Sequence, residues 1–227
     1  MKFVTLHPSQ KQRGVGKLLC LGRNYVDHAR EMNSPVPDTP IVFLKPATAL
    51  ISSGESIIIP PISKDVHHEV EMVVLIGRGG KDISRPSAAD YVEGYGIGLD
   101  MTLRDVQAEA KKKALPWTVA KGFDTSAPVS TIVEKGLVRD PHNLDISLKV
   151  NGKICQHSNT RNMIFRVDHV VSYLSSIFTL EEGDLIFMGT PEGVGPVRPG
   201  DVLEAELAGV SSLRVTVQSG TAASSSS

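Results

Sequence analysis

Between Lys17 and Val217 no apolar run is long, and nearly every one is stopped by glycine, proline or an Asn-Gly pair. That punctuation favours short strands joined by tight turns and leaves little room for long helices. Lys17–Leu21, Ile41–Leu44, Ser56–Ile59, Val66–Ile76 and Tyr95–Met101 read as strands in the first half. Leu144–Val150, Lys153–His157, Asp184–Met188, Val202–Leu207 and Leu213–Val217 follow in the second, with Asn151-Gly152 as a hairpin turn. Three helices are expected. One spans about Tyr25–Met32, one runs from an N-cap at Thr102 to about Lys113, and one covers Arg166–Ile177 with apolar residues at helical spacing. The fold class is therefore α+β, mainly β, with few helices at the periphery.

Lys and Arg number 24 against 25 Asp and Glu, a net charge of −1. A near-neutral chain without a basic patch is not built to bind nucleic acid. No apolar stretch approaches a membrane span, and the start MKFVTLHPSQ holds no signal-peptide core. The two cysteines, Cys20 and Cys155, form no paired motif, which suits a reducing compartment; a cytoplasmic location is expected.

The segment His67-His68-Glu69-Val70-Glu71-Met72 carries the strongest chemical signal. On a strand Glu69 and Glu71 share a face, and His67 shares it too. Two carboxylates beside an apolar run repel each other, and burying them needs a positive partner. The same alternation would also serve the exposed face of a sandwich. Asp100 closes the glycine-rich run GYGIGLD and offers a third carboxylate, although it could instead cap a helix. Three carboxylates suit Mg²⁺, Mn²⁺ or Ca²⁺; with His67 they would also suit zinc. His28 and Glu31, at i and i+3 of a short helix, make either a general-base pair or a surface ion pair. Lys121, alone in an uncharged stretch, either stabilises an anion or reaches to solvent. The triple lysine Lys111–Lys113 reads as a solvated helix face. Gly189-Thr190-Pro191-Glu192-Gly193 is a tight loop but not a phosphate loop, and there is no nucleophile elbow or dinucleotide fingerprint.

The ordered set LGRNYVDHAREM, FLKPATALI, HHEVEMVVLIG, GYGIGLDMTLRDVQ, LPWTVAKGFDTSAPVS, VNGKICQ and LEEGDLIFMGTPEGVGPV resembles the fumarylacetoacetate hydrolase family, over nearly the whole chain. Within it the chain is most similar to the acylpyruvate hydrolase and oxaloacetate decarboxylase branch. The resemblance implies a mixed β-roll, a homodimer, and Mg²⁺ or Mn²⁺ held by Glu69, Glu71 and Asp100. It implies that Lys121 faces a small 2-oxo acid substrate and that Arg104, Gln107 and Thr190 bind its oxygens. His28 and Glu31 become the acid–base pair on a lid segment. The domain reading is a catalytic domain over 17–218, an N-terminal segment over 1–16 and a Ser-rich tail over 219–227 expected to be disordered. Two rivals remain: an isomerase or hydratase of unsaturated 2-oxo acids, and a binding protein that has kept the fold without the chemistry.

Overall fold

A computed structural model describes residues 1–31 and 33–221. Short strands dominate, and they form a ten-stranded mixed sheet, a five-stranded sheet and a three-stranded sheet. In the large sheet the strand Val70–Ile76 pairs antiparallel with Val92–Leu99 on one side and with Leu185–Phe187 on the other. Leu185–Phe187 runs parallel to Leu18–Gly22, whose other neighbour is Ile41–Lys45. The first strand, Phe3–His7, lies parallel to Ile132–Glu134 and so belongs to the main sheet.

Val70–Ile76 is buried at every position, which is why it reads as an unbroken apolar run and not as a clean alternation. The two-residue period splits its side chains between two cores. Met72, Val74 and Ile76 pack with Leu19, Leu21 and Ile186, and with Ile146, Leu148, Leu203 and Leu213 of the five-stranded sheet. Val73 and Leu75 pack on the opposite face with Leu18, Cys20, Leu185 and Phe187. Glu71 shares the face of Val73, so the second core ends where the acids begin. Asn151-Gly152 turns the hairpin between Asp145–Val150 and Lys153–Asn159, and Asn151 adopts φ 51° as such a turn requires.

Four helices border the sheets: α1 (Val26–Glu31), α2 (Arg104–Lys112), α3 (Thr118–Lys121) and α4 (Val167–Ile177). In α4 the buried residues Val167, Val170, Val171 and Leu174 recur at helical spacing and dock the helix on the larger core. The Ser-rich tail lies mostly outside the described residues, which end at 221.

Two expectations need correction. The Val66–Ile76 strand is interrupted at Glu69. Val66–His68 turns away to pair with Thr102–Leu103 and Gly195–Val197 in the small sheet, while Val70–Ile76 stays in the large one. Thr102 does not cap α2: it lies on a two-residue strand, and Leu103 precedes the helix without a side-chain cap. The Thr102 hydroxyl donates instead to the Asp100 carbonyl, a local bond that competes with capping.

The large sheet can close tightly because Val92–Leu99 carries Gly98. A β-carbon there would lie 2.8 Å from Val73 Cγ2 and 2.9 Å from both Phe187 Cε1 and the Pro128 carbonyl. Gly98→Val should therefore destabilise the protein by about 1–3 kcal/mol through overpacking. Urea unfolding would register this as a lower midpoint; an unchanged midpoint would show that the strand can shift freely.

Candidate active site

The interruption at Glu69 brings its carboxylate to the end of the sheet beside Glu71 and Asp100. One ligand atom from each lies within 4.8 Å of the others, and all three residues are buried. Backbone pairing sets this up: the Asp100 amide donates to the Glu69 carbonyl at 2.8 Å, and Glu71 pairs across the ladder with Gly98. Glu71 is the acid of the three that bonds no basic side chain; its Oε2 accepts only from the Gly189 amide, at 2.6 Å. Burial, with Asp100 and Glu69 as neighbours, pushes its pKa well above the usual 4.5. Gly189 reaches Glu71 with φ +86°, where a β-carbon would lie 2.7 Å from Asn24 Cβ. Only glycine fits that close approach.

Two buried lysines flank Asp100. The Lys121 ammonium donates to Glu69 Oε2 at 2.7 Å, Asp100 Oδ2 at 2.5 Å and Thr102 Oγ1 at 2.6 Å, and rests 4.9 Å from the centre of the Phe43 ring. All three of its protons are engaged. Burial alone would lower its pKa, but Asp100 and Glu69 hold it above 10.5. Burial would likewise raise the Glu69 carboxyl, yet Lys121 and Arg104 pull it well below its usual value. Lys45 stands behind. Its ammonium contacts the carbonyls of Met101, Lys121 and Ser126 and lies 2.7 Å from Asp100 Oδ1. That last approach lacks hydrogen-bond geometry, so Asp100 Oδ1 keeps its lone pairs uncommitted. A carboxylate oxygen without a donor, next to a glutamate without a cation, in an all-oxygen donor set, fits a hard divalent cation.

On the open side Arg104 donates to Glu69 Oε1 at 2.6 Å and to Gln107 Oε1 at 2.8 Å. A guanidinium only donates, so the Gln107 amide must face it with oxygen and turn its NH₂ the other way. His28 Nδ1 lies 3.1 Å from Glu31 Oε2, while Glu31 Oε1 accepts from the Gly193 amide at 3.0 Å. The ionised glutamate only accepts, so Nδ1 carries the proton and Nε2 keeps a free lone pair. His28, Glu69, Arg104, Gln107, Lys121 and Thr190 line one cleft. His28, Glu31, Arg104, Gln107, Lys121 and Thr190 thus lie in one region with the three acids.

His67 does not join the acids. It belongs to the small sheet, where its Nε2 bonds Asp65 Oδ1 at 2.9 Å. Among the described residues the acidic trio is the only group placed to hold a metal, so the zinc alternative loses its nitrogen ligand. Two further residues escaped the sequence reading. One is Lys45. The other is Gln156, whose Oε1 accepts from the Val70 amide and His68 Nδ1 and whose Nε2 donates to Thr190 Oγ1 and the Pro191 carbonyl. Backbone groups at both ends leave its amide one orientation. Thr190 Oγ1 accepts from that amide, so its own proton is left to donate elsewhere.

Residues 17–218 match the model of the fumarylacetoacetate (FAA) hydrolase C-terminal family. The chain is 51% identical over 201 residues to oxaloacetate tautomerase FAHD1, mitochondrial, of Mus musculus, covering 88% of this chain and 91% of the relative. The Arabidopsis thaliana protein of that name is 48% identical over 202 residues, with 89% and 91% covered. Among solved structures, fumarylpyruvate hydrolase from Pseudomonas aeruginosa in complex with Mn²⁺ and pyruvate superposes with a TM-score of 0.91. Its identity is 39%, and 96% of each chain is covered. 5-Carboxymethyl-2-hydroxymuconate delta-isomerase from Mycobacterium smegmatis gives 0.83 at 35% identity, covering 92% of this chain and 81% of its own. No helix among the described residues is long and apolar enough to cross a membrane.

A raised Glu71 pKa means that its ionised form opposes folding. The opposition grows as pH rises from the unfolded value near 4.5 toward the folded one and persists above it. Glu71→Gln keeps the acceptor for Gly189 and removes the charge. In metal-free protein at neutral pH the variant should melt higher, by about 2–4 °C for each kcal/mol of repulsion relieved. Added Mn²⁺ should stabilise the wild type but not the variant. Equal Mn²⁺ stabilisation of both would remove Glu71 from the ligand set.

Proposed function

We propose, since the chain belongs to the fumarylacetoacetate hydrolase family, that it is a divalent-metal-dependent enzyme of small 2-oxo acids. In this reading it cleaves the C3–C4 bond of acylpyruvates and decarboxylates oxaloacetate. The observation that carries the reading is a buried cluster of three carboxylates that reaches, through Glu69, the cleft that His28 also lines.

A cation held by Glu69, Glu71 and Asp100, Mg²⁺ or Mn²⁺, supplies a Lewis acid for the carboxylate and 2-keto oxygens of such a substrate. Arg104 and the outward NH₂ of Gln107 orient the substrate carboxylate, and the Thr190 hydroxyl donates to a substrate oxygen. His28 Nε2 takes a proton from water as the water oxygen bonds to C4 of an acylpyruvate. The C3–C4 bond then breaks, and its electron pair passes to the enolate of pyruvate. Lys121 meets that charge, being the buried cation nearest the acids. The imidazolium returns its proton to C3, leaving pyruvate and a carboxylate. Oxaloacetate loses CO₂ from C4 to give the same enolate without a water.

The name of the relatives favours one companion reaction. A base that moves a proton at C3 also interconverts the keto and enol forms of oxaloacetate, so tautomerisation needs no machinery beyond His28, Glu31 and the enolate site. The isomerase reading uses the same groups. The homodimer belongs to the proposal as well; Ile62, Leu115 and Val119 leave apolar surface exposed around a shallow recess beside α2 and α3. For the compartment, the named relatives are mitochondrial where the sequence suggested the cytoplasm. What carries over is a reducing interior, in keeping with Cys20 and Cys155 as free thiols.

His28→Ala should cost acylpyruvate hydrolysis roughly 10²–10⁴-fold in kcat, the usual cost of losing a general base. Oxaloacetate decarboxylation, which removes no proton from water, should fall much less. Parallel losses would make the pair an orienting element and not a base. Lys121→Met should lower kcat more than it raises KM in steady-state assays, because the charge it meets develops in the transition state. An unchanged kcat would take Lys121 out of the chemistry.

A further inference from the structure

Within the cleft, Glu69 is the only carboxylate among the described lining residues, and Arg104 and Lys121 already bond it. Two more cations line the same cleft without any acidic partner. The Arg23 side chain makes no ion pair or hydrogen bond among the described residues, and the Lys111 side chain makes none either. Lys111 is held by an aromatic ring instead. Its ammonium lies 5.2 Å from the centre of Trp117, which packs edge-on against Phe43 at 6.1 Å. Lys111 is exposed like Lys112 and Lys113, as a solvated face requires, but its ammonium also lies at the cleft wall beside Trp117. Lys113, by contrast, pairs with Glu109 at 2.8 Å on the outside of α2.

Arg23 is positioned just as deliberately. Its backbone has φ 56°, a left-handed conformation that disfavours any residue with a β-carbon. Glycine or asparagine would suit that turn better, so the backbone does not account for arginine here. The conformation is locked by Asn24, fully buried, which bonds Phe165 N and the carbonyls of Phe165 and Met188. Arg23 thus lines the cleft from the strand–helix turn, while Lys111 lines it from α2. Burial lowers the Lys111 pKa, and Arg104, Arg23 and Lys121 lower it further against a smaller opposing pull from Glu69, as expected where cations outnumber acids.

We propose that Arg23 and Lys111 form a receptor for a second, distal carboxylate, so that the enzyme selects 2-oxo dicarboxylates over 2-oxo acids ending in an uncharged group. The proposal rests on the reading of the cleft as a 2-oxo acid site. It adds that the end of the substrate remote from Glu69, Glu71 and Asp100 is recognised by charge: a guanidinium fork and an ammonium converging on one anionic group.

The probes are 2-oxoglutarate and 2-oxovalerate, which share chain length and differ only in a terminal carboxylate or methyl. In both, C4 is a methylene and not a carbonyl or carboxylate carbon, so neither can be hydrolysed at C3–C4 or decarboxylated in the proposed way. Calorimetry on the Mn²⁺-loaded protein should show 2-oxoglutarate binding about tenfold or more tightly than 2-oxovalerate, with a preference that shrinks as salt is added. Arg23→Gln and Lys111→Gln should each reduce that ratio, and together bring it close to one. Arg23→Lys and Lys111→Arg make the same backbone demands but keep the charge, so they should retain most of the preference. The matching kinetic sign is a rise in KM for oxaloacetate greater than that for acetylpyruvate. Binding of both probes with a ratio that the Gln variants leave untouched overturns the receptor alone. Failure of the wild type to bind either probe overturns the 2-oxo acid reading itself and the receptor with it.

Discussion

The arrangement depends on how three carboxylates are kept together inside a protein. Ionised acids gathered this closely repel one another, and burial removes the water that would screen them. The fold answers with cations fixed by the backbone. Lys121 spends all of its protons on Glu69, Asp100 and Thr102, and its own carbonyl is held by Lys45. The lysine nearest the acids is thus itself anchored by a second lysine, which also contacts Asp100 Oδ1, the Met101 carbonyl and both the carbonyl and hydroxyl of Ser126. Glu71 is the one acid left without such a partner, so the cluster keeps a local shortage of positive charge at the place where a cation has the most to gain.

The sheets make that cluster possible by ending at it. Val70–Ile76 feeds two separate cores from its two faces, so its register is strongly constrained: a slip by one residue would exchange every side chain between them. The break at Glu69 then lets one chain segment serve two sheets. The small sheet carries Thr102 and leads into Arg104 and Gln107; the large sheet carries Glu71 and leads to Asp100. Residues from distant parts of the chain meet because their strands terminate at a common edge, and loops add only the Gly189–Gly193 turn.

Much of this was legible in the sequence, for identifiable reasons. Strand-stopping glycines and prolines are local signals, so the mainly β character could be read directly. Glu69, Glu71 and Asp100 stood out because charges inside apolar runs are conspicuous. What stayed hidden depends on partners far along the chain. Lys45 looked like the polar end of a strand, since its acceptors are main-chain carbonyls 56 to 81 residues away. Gln156 looked like an ordinary hairpin residue, yet it joins three segments through one amide. His67 stayed open as a zinc ligand because the bend at Glu69 has no marker in its neighbours, neither glycine nor proline. Lys111 reads as one of three exposed lysines, which it is; its place over Trp117 depends on a ring six residues further along the chain.

The fixed amide of Gln156 has a consequence for what the cleft rejects. With Thr190 accepting from that amide, its hydrogen is committed outward; Gln107, with its oxygen turned to Arg104, presents NH₂. Arg23 and Lys111 add only N–H groups. Apart from His28 Nε2 and the Glu69 carboxylate, these polar side chains of the wall offer protons. A 2-amino acid or a 2-hydroxy acid of the same length differs from a 2-oxo acid in carrying protons of its own at the second carbon. An ammonium at that carbon can only donate and would find few acceptors on such a wall, whereas a hydroxyl can still accept. On the proposed reading, discrimination against a 2-amino acid would rest on the polarity of hydrogen bonds more than on shape, and a glutamine outside the cleft lining helps to set it.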